Sequence, residues 1–346
     1  MSSQASAAAD LVRTVERTLC DDGLLRDVRH LLIGCSGGGD SVALVRLLRE
    51  LRPDLPVTLV HCDHAARSNS ADDAEFVRQL AEEMAVPCRV VSTPLADNAT
   101  GSREAGWRDL RRNAFRKALI DLDADAVALG HTADDQAETV ILNVARGCGV
   151  RGLAGMAARI DHDGLVVVRP LLAVRRSTLR QYALERRQTW RRDSSNEDLH
   201  FSRNRIRASV LPELETIAPG AVGNIVRLAE IVAEHHEFIE AEASAAWPRV
   251  ELPAGPAGGV ALSRPALAKL PRPVAVAVLQ RALRGVRGDL FGVSKEHIDT
   301  VLGGLVGGTE TAIDLPGVRA RAEGAALCLL PLENRRVVEL DRGQAS

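Results

Sequence analysis

The 346-residue chain has few aromatic and lysine side chains, and its cysteines are not paired along the sequence. Aromatic residues make up 3% of it, and Lys117, Lys269 and Lys295 are its only lysines. The six cysteines never form a Cys-x-x-Cys motif, which argues against a zinc ribbon or an iron–sulfur site. Scattered cysteines of this kind are typical of free thiols in a reducing cytoplasm.

Long apolar runs are also missing. No stretch of about 18 uncharged apolar residues occurs, and the first residues lack the basic start and apolar core of a secretory signal. We therefore expect a cytoplasmic protein without a membrane span. Its hydrophobic content of 46% is enough for the cores of two domains.

The charges are nearly balanced overall but unevenly distributed. The net charge is −2, yet the window Arg175–Arg207 carries +6 and the window Arg103–Lys117 carries +4. An acidic body with two basic segments can attract phosphates locally, as nucleic-acid-binding proteins do. Two solvated, arginine-rich helix faces are the simpler alternative.

Short apolar runs alternate with amphipathic stretches through the first two thirds of the chain. This order predicts β-α-β units and a parallel sheet. The predicted strands are His30–Cys35, Val57–Cys62, Cys88–Ser92, Asp125–Gly130 and Leu165–Arg169. The predicted helices are Ser41–Leu51, Asp72–Ala85, Arg103–Leu119, Asp134–Arg146 and Arg175–Arg187, with one long helix over Val222–Ala246.

Polar segments follow three of the predicted strands. They read SGGGDS (36–41), DHAARSNS (63–70) and HTADDQAE (131–138). Open α/β sheets bind their ligands beyond the carboxyl ends of the strands. The three segments together therefore predict a functional site at that edge.

Segment 36–41 leads from an apolar strand directly into a helix. Its glycines allow a tight turn that exposes backbone N–H groups, and a helix N-terminus favours a phosphate. The lysine of a Walker A motif is absent, and the segment does not match G-x-G-x-x-G. An ordinary glycine-rich turn capped by Ser or Asp is the alternative.

Segment 131–138 places several carboxylates at the start of a helix. We expect Asp134 to cap this helix, with Asp135 and Glu138 on neighbouring faces and His131 just before it. Such carboxylates could hold an ammonium group and accept the proton that an attacking amine must lose. A capping box with surface charges is the alternative.

The strand followed by Ser-Gly-Gly-Gly-Asp-Ser resembles the PP-loop family of ATP pyrophosphatases, whose signature is SGGxDS. The resemblance implies a Rossmann-like domain that cleaves ATP between its α- and β-phosphates, adenylates an oxygen and releases pyrophosphate. It implies that Asp40 helps to hold Mg²⁺. The residues implied to bind the nucleotide are Ser36, Gly37, Gly38, Gly39, Asp40 and Ser41.

Four further segments are similar to the tRNA(Ile)-lysidine synthetases within that family. They are HCDHAARS (61–68), EAGWRDLRRNAF (104–115), GHTADDQAETVILNVARGCGVRGLAGM (130–156), and RDSSN with RNRIR (192–196 and 203–207). Trp107, Arg112 and Ser194 depart from the family pattern, and the similarity covers about residues 30–212. His61 and His64 form a lone His-x-x-His, to which we assign no zinc.

This resemblance implies an enzyme that adenylates the wobble cytidine of a tRNA(Ile) with a CAU anticodon and replaces the adenylate with free L-lysine. Catalytic roles are implied for Asp40, Arg108, His131, Asp135 and Glu138, and nucleotide contacts for Asp63 and His64. Contacts with lysine or tRNA are implied for Asp134, Asp135, Glu138, Arg111, Arg203, Arg205 and Arg207.

We therefore expect an α/β protein with three parts. A parallel-sheet PP-loop catalytic domain spans 1–215, a helical linker spans 216–247, and a small α/β tRNA-binding domain spans 248–346. Assembly as a homodimer is compatible with this organisation. The alternatives are a thiolase-type PP-loop tRNA modifier, disfavoured by the unpaired cysteines, and a non-catalytic nucleotide-binding module, disfavoured by the acidic segment 131–138.

Overall fold

The computed structural model describes residues 2–20, 23–63, 70–93, 103–162, 164–191, 202–253, 258–308 and 311–332. The chain divides into two compact units, Met1–Ala233 and Glu234–Ser346. The first unit is built on a mostly parallel sheet with helices and the second on a small antiparallel sheet. The predicted α/β fold is therefore confirmed.

The strands of the first unit are β1 Leu31–Gly34, β2 Val57–Asp63, β3 Cys88–Ser92, β4 Ala126–Leu129, β5 Arg159–His162 and β6 Leu165–Val168. They form one sheet in the order β3-β2-β1-β4-β6-β5, in which only β5 is antiparallel to its neighbour among the described pairs. Five strands were predicted and are confirmed. Strand β5 was missed because all four of its residues are exposed and it has no apolar run.

The helices of the first unit lie before, between and after these strands, and the last of them, α10, continues into the second unit. They are α1 Ser2–Cys20, α2 Gly39–Leu51, α3 Ser70–Glu83, α4 Arg103–Asp121, α5 Ala133–Ala145, α6 Val150–Leu153, α7 Arg176–Glu185, α8 Ser202–Arg205, α9 Leu211–Ile217 and α10 Ala221–Val250. A π-helical segment, Ile206–Val210, joins α8 to α9. The long helix α10 was predicted and is confirmed, and it continues past Trp247-Pro248 to Val250.

The central strand β1 is buried on both faces. Leu31 and Ile33 lie in one apolar cluster with Leu44 of α2, and Leu32 lies in another with Phe115 of α4. Alternate residues of a strand point to opposite faces, so helices cover the sheet on both sides. Because both faces of a parallel strand are buried in this way, its sequence is a continuous apolar run.

The second unit has its own apolar core. Its elements are β7 Val260–Ser263, α11 Arg264–Ala268, α12 Arg272–Arg287, α13 Lys295–Thr300, a π-helical segment Val301–Val306, β8 Ala312–Leu315, β9 Val318–Glu323 and β10 Ala326–Pro331. The strands form an antiparallel sheet in the order β7-β10-β9-β8. Ala243, Ala246 and Val250 of α10 belong to this core. The last turns of α10 are therefore structural parts of the second unit.

Membrane-spanning segments were searched for among the described residues. No single helix there is long and apolar enough to cross a membrane. Taken together, Ser202–Ile217 and Ala221–Val250 have the length and composition, but the chain bends by 96° between them.

The sheet order reverses direction between β1 and β4. From β1 the chain moves outward to β2 and β3, and from β4 it moves the other way to β6. A crevice forms at the carboxyl ends of the two strands at such a point. Segments 36–41 and 131–138 follow these two strands, so the fold brings them together.

Candidate active site

The loop after β1 is shaped by glycine and held by two serines. Gly37 has a positive φ of 82°, which a residue with a side chain rarely adopts. The hydroxyl of Ser41 donates to the carbonyl oxygen of Gly38 at 2.9 Å, and the N–H of Gly38 donates to the hydroxyl of Ser36 at 3.3 Å. Helix α2 begins at Gly39. The loop therefore ends at a helix N-terminus, where backbone N–H groups favour an anion.

Gly130 allows the end of β4 to approach this loop closely. A Cβ atom at Gly130 would lie 3.1 Å from backbone atoms of Asp40 and Ser41. A larger residue would therefore push β4 and the start of α2 apart. This contact explains why Gly130 precedes the acidic segment.

The acidic segment begins helix α5 with a capping box. Thr132 is the N-cap, and its hydroxyl accepts from the backbone N–H of Asp135 while Asp135 accepts from the N–H of Thr132 at 2.9 Å. The prediction that Asp134 caps the helix is therefore wrong. Asp134 lies in the first turn, where it accepts from the backbone N–H of Arg176 at 2.7 Å. Thr132, two residues before Asp134, provides the capping oxygen without a charge.

Asp135 uses its two carboxylate oxygens differently. Oδ2 serves the capping box, whereas Oδ1 lies 2.9 Å from Nη2 of Arg176 and 3.3 Å from Nη2 of Arg207. Arg203 approaches the same Oδ1 at 3.5 Å. The capping hydrogen bonds to Oδ2 thus fix the direction in which Oδ1 points.

Glu138 lies one helical turn later and is completely buried. Its Oε2 accepts from Nε of Arg203 at 2.8 Å, and its Oε1 accepts from Nε of Arg207 at 2.6 Å. Nη1 of Arg176 lies 3.5 Å from Oε1. A buried carboxylate needs such partners, because an unpaired charge in the interior is strongly unfavourable.

Arg176 joins the two predicted halves of the site. Its Nε donates to Oδ2 of Asp40 at 2.9 Å, while its other nitrogens face Asp135 and Glu138. The side chain is only 13% exposed. We call the six residues Asp40, Asp135, Glu138, Arg176, Arg203 and Arg207 the arginine–carboxylate cluster. Its three carboxylates and three guanidinium groups have a formal net charge of zero.

The pKa values of two cluster carboxylates are shifted in opposite directions. Burial raises the pKa of Asp40 above its usual value, although Arg176 opposes the shift. Burial would also raise the pKa of Asp135, but Arg176, Arg203 and the N–H of Thr132 outweigh it and lower that pKa to about 2. Asp135 is therefore ionised at any physiological pH.

His131 is neutral in this environment. Its pKa is lowered to about 4, mainly by burial and also by Arg169, while Asp135 opposes the shift. Nε of Arg169 lies 3.2 Å from Nδ1 of His131. Because a guanidinium can only donate, Nδ1 is the acceptor and the ring proton belongs on Nε2.

Of the remaining predicted residues, the structure places Asp63 and Arg111 near the site. Asp63 ends β2, and Arg111 of α4 is close enough to His131 to affect its pKa. Arg205 is exposed, unlike Arg203 and Arg207. His64, the side chain of Arg108 and the segment 192–196 lie outside the described residues. The roles predicted for all of these residues stay predictions.

Two residues of the site were not predicted. Arg176 and Arg169 are separated by 136 and 38 residues from the partners Asp40 and His131. The sequence did contain one indication of their role: both arginines follow strand β6, whose carboxyl end lies at the same sheet edge. The apolar run Pro170–Val174 between them hid this fourth segment.

No metal-binding group of three or more His, Cys, Asp or Glu residues is found within the described ranges. The Nδ1 of His61 lies 2.9 Å from the carbonyl oxygen of Cys35, at the start of the loop that follows β1.

Comparison with known proteins gives a family match and several relatives that share one name. Residues 8–214 match the PP-loop domain family. The tRNA(Ile)-lysidine synthase of Rhodopirellula baltica is 39% identical over 231 residues, which cover 60% of this chain and 58% of that protein. The same-named protein of Solibacter usitatus is 37% identical over 281 residues, covering 79% of this chain and 60% of that protein.

A third relative is matched over most of its length. The tRNA(Ile)-lysidine synthase of Salinispora arenicola is 36% identical over 273 residues, which cover 77% of this chain and 81% of that protein. Among solved structures, the U34-tRNA thiolase NcsA from Methanococcus maripaludis with its 4Fe–4S cluster superimposes with a TM-score of 0.58 at 23% identity. That match covers 67% of this chain and 81% of the thiolase, and it shows a common fold only.

The three relatives share a name but are matched over different fractions of their length. The chain spans about three fifths of the length of the first two relatives but most of the length of the third. The PP-loop match covers more than half of the chain. The chain therefore belongs to the tRNA(Ile)-lysidine synthase family of PP-loop proteins.

Proposed function

We propose that this protein joins L-lysine to carbon 2 of the wobble cytidine in the CAU anticodon of tRNA(Ile). ATP is consumed and AMP and pyrophosphate are released, so the enzyme is a ligase that forms a C–N bond. The names of the relatives support the product. The arrangement that carries the proposal is the phosphate-type loop placed beside Asp135 and Glu138 through Arg176.

The loop supplies the features that a polyphosphate needs. Ser36, Gly37, Gly38, Gly39 and Ser41 surround the N-terminus of α2, where exposed N–H groups and the helix dipole favour negative charge. The helix contributes the equivalent of about half a positive charge at this end. We assign the pyrophosphate part of ATP to this loop.

Asp40 fits the role of a magnesium ligand. Mg²⁺ usually binds through one or two carboxylates together with substrate phosphates, and Asp40 lies in the first turn of α2 with 26% of its side chain exposed. When bound there, Mg²⁺ would offset the negative charge of the phosphate oxygens.

The reaction has two balanced steps. First, the oxygen on carbon 2 of cytidine bonds to the α-phosphorus of ATP, and the bond to the β-phosphate oxygen breaks to release pyrophosphate. Then the ε-nitrogen of lysine bonds to carbon 2, and AMP leaves with the oxygen. The lysine ammonium must lose a proton before attack, because it has no lone pair.

The chain's own residues have distinct tasks in this scheme. Asp135 stays ionised because of its low pKa, so it holds the lysine ammonium, and a carboxylate of the cluster accepts the proton. Neutral His131 presents an Nε2–H donor near the reacting groups. Arg108 and Arg111, both on α4, stabilise charge that develops on the α-phosphate.

The tRNA is held by a larger surface than the anticodon. Arg205 and the C-terminal domain predicted over 248–346 supply contacts to the tRNA body. The catalytic domain predicted over 1–215 carries the reaction, and the predicted linker over 216–247 joins the two. Free L-lysine, ATP and tRNA meet in the cytoplasm, where we place the reaction. The enzyme works as a monomer or as a homodimer under this proposal.

One assay tests the proposed function. The protein is incubated with a tRNA(Ile) transcript, ATP and labelled lysine, and a matched transcript carries uridine at the wobble position. Label should enter only the cytidine transcript, only with ATP, with one AMP formed per lysine attached. AMP formation without label in the RNA would instead indicate another tRNA modification. An absence of any tRNA-dependent AMP would indicate a non-catalytic nucleotide-binding protein.

A further inference from the structure

Arg176 is the one described side chain that contacts both the nucleotide loop and the acid pair Asp135 and Glu138. It donates to Asp40 at 2.9 Å and to Asp135 at 2.9 Å, and it lies 3.5 Å from Glu138. Its position is fixed by the start of α7, where its own N–H donates to Asp134 at 2.7 Å. This residue therefore connects two binding functions that the proposed function keeps separate.

The charges of the arginine–carboxylate cluster oppose the entry of lysine alone. Each of Asp135 and Glu138 faces three guanidinium groups at 3.5 Å or less. An ammonium that entered this cluster would meet guanidinium groups, and no carboxylate charge would be left unpaired to bind it. Like charges at such distances repel strongly when water is excluded.

A polyphosphate changes this balance. Its negative charges at the loop offer new partners to a guanidinium that already contacts the loop residue Asp40. Arginine binds phosphate oxygens with the same bidentate geometry that it uses for carboxylates. If Arg176 turns toward the phosphates, Asp135 and Glu138 lose one positive neighbour and gain capacity for an ammonium.

We propose that Arg176 is a positioning residue that makes lysine binding depend on bound nucleotide. This inference rests on the proposed function, because it assumes that the acid pair is the lysine site. In the ligand-free protein Arg176 neutralises the acid pair, and in the nucleotide-bound protein it is engaged by phosphate. Lysine is consequently held only where an adenylate can form.

The test measures lysine affinity with and without nucleotide by calorimetry. The nucleotide is α,β-methylene-ATP with Mg²⁺, which cannot be cleaved between its α- and β-phosphates. In the wild-type protein we expect lysine to bind about tenfold more tightly when the nucleotide is present, within the usual range of coupling between two sites. Because coupling is reciprocal, lysine should tighten nucleotide binding by the same factor.

Two variants and one control locate the coupling in Arg176. In Arg176→Gln lysine should bind without nucleotide, and the effect of nucleotide should fall to about twofold or less, well below the usual coupling range. Arg176→Lys keeps one charge but cannot bridge three carboxylates, so its coupling should be intermediate. Arg186→Gln removes an arginine at the other end of α7 that pairs with Glu50 at 2.9 Å, and it should keep the wild-type coupling.

The outcomes separate the inference from the proposed function. Equal lysine affinity with and without nucleotide in the wild-type protein would overturn the inference and leave the function standing. The inference is also overturned if Arg176→Gln keeps the wild-type coupling while its circular dichroism spectrum shows that it is folded. If lysine fails to bind in either state while nucleotide binds, the proposed function fails and the inference with it.

Discussion

Asp40 is the loop residue whose side chain has the clearest chemical task. Its carboxylate contacts Arg176 and lies at the N-terminus of α2, and the proposed function assigns it to a magnesium ion beside the phosphates. We expect Asp40→Ala to reduce AMP formation by about 100-fold or more, similar to the loss of a group that stabilises developing charge. Arg176 keeps Asp135 as a partner in this variant, so the fold should remain intact.

The measurement is AMP release in single turnovers, together with the thermal unfolding temperature. Asp54→Ala is a suitable control, because Asp54 is exposed and pairs only with the nearby Arg52 among the described contacts. Wild-type AMP formation by Asp40→Ala would remove the assigned metal role.

His131 gives the protein a predictable dependence of stability on pH. Burial depresses its pKa to about 4 from an ordinary value of 6.5. Between these values the unfolded chain binds the proton and the folded chain does not, so stability falls as the pH drops from 6.5 to 4. We expect His131→Gln to weaken this fall, as seen in unfolding temperatures measured at half-unit steps of pH. Asp135 does not interfere, because its own transition lies lower, between its usual range and about 2. An identical pH profile in the variant would contradict a buried neutral histidine.

At the scale of elements, helix α5 depends on the buried charge of Glu138. Removing the carboxylate in Glu138→Ala leaves Arg203 and Arg207 without their shortest partner. We expect this to reduce the free energy of unfolding by about 3–5 kcal/mol, as for other broken buried pairs. Glu138→Gln keeps the shape and some hydrogen bonds, so it should destabilise less and instead raise the KM for lysine about tenfold.

These two variants are compared by denaturant unfolding and by steady-state kinetics. ATP affinity should change little in Glu138→Gln, since Glu138 does not contact the loop in the described structure. The exposed Glu185 of α7 provides a control as Glu185→Gln. An unchanged KM for lysine in Glu138→Gln would place the lysine site elsewhere.

The segment Ser202–Val210 presents its arginines on two faces. Arg203 and Arg207, four residues apart, both face Glu138, whereas Arg205 is exposed. We expect Arg205→Ser to lower the slope of log tRNA affinity against log salt by about one unit, without loss of stability. Arg203→Ser and Arg207→Ser should lower the unfolding temperature instead. If Arg205→Ser keeps the wild-type salt slope, Arg205 makes no phosphate contact.

The elements also indicate what the sequence reveals and what it conceals. Strands β1 and β4 could be predicted because short apolar runs end in glycine and polar residues, and their shared edge follows from the topology of a parallel sheet. The exposed strand β5 has no such pattern. The N-cap was assigned to Asp134 instead of Thr132 because both residue types cap helices well. Arg176 could not be predicted from spacing, since its partner Asp40 is 136 residues away.

At the scale of the whole molecule, the two units have separate cores. The apolar clusters of the first unit include Leu31, Leu32 and Val222, and that of the second includes Val278 and Leu327. The residues of the arginine–carboxylate cluster and the loop all belong to Met1–Ala233. A ligand that binds this cluster should therefore directly stabilise only the first unit.

We expect this division to appear in the thermal unfolding of the intact chain. Two units with their own cores should give two calorimetric transitions, because a single all-or-none transition is a property of single domains. A ligand that binds only the folded form stabilises it by about 2.7 kcal/mol at 100 times its Kd. Adding α,β-methylene-ATP with Mg²⁺ should therefore raise one transition and leave the other unchanged. Asp40→Ala is the matched variant, since it should lose most of this shift while keeping both transitions. If nucleotide raised both transitions equally, the two units would unfold as one cooperative body, and the site could not be assigned to the first unit by this measurement.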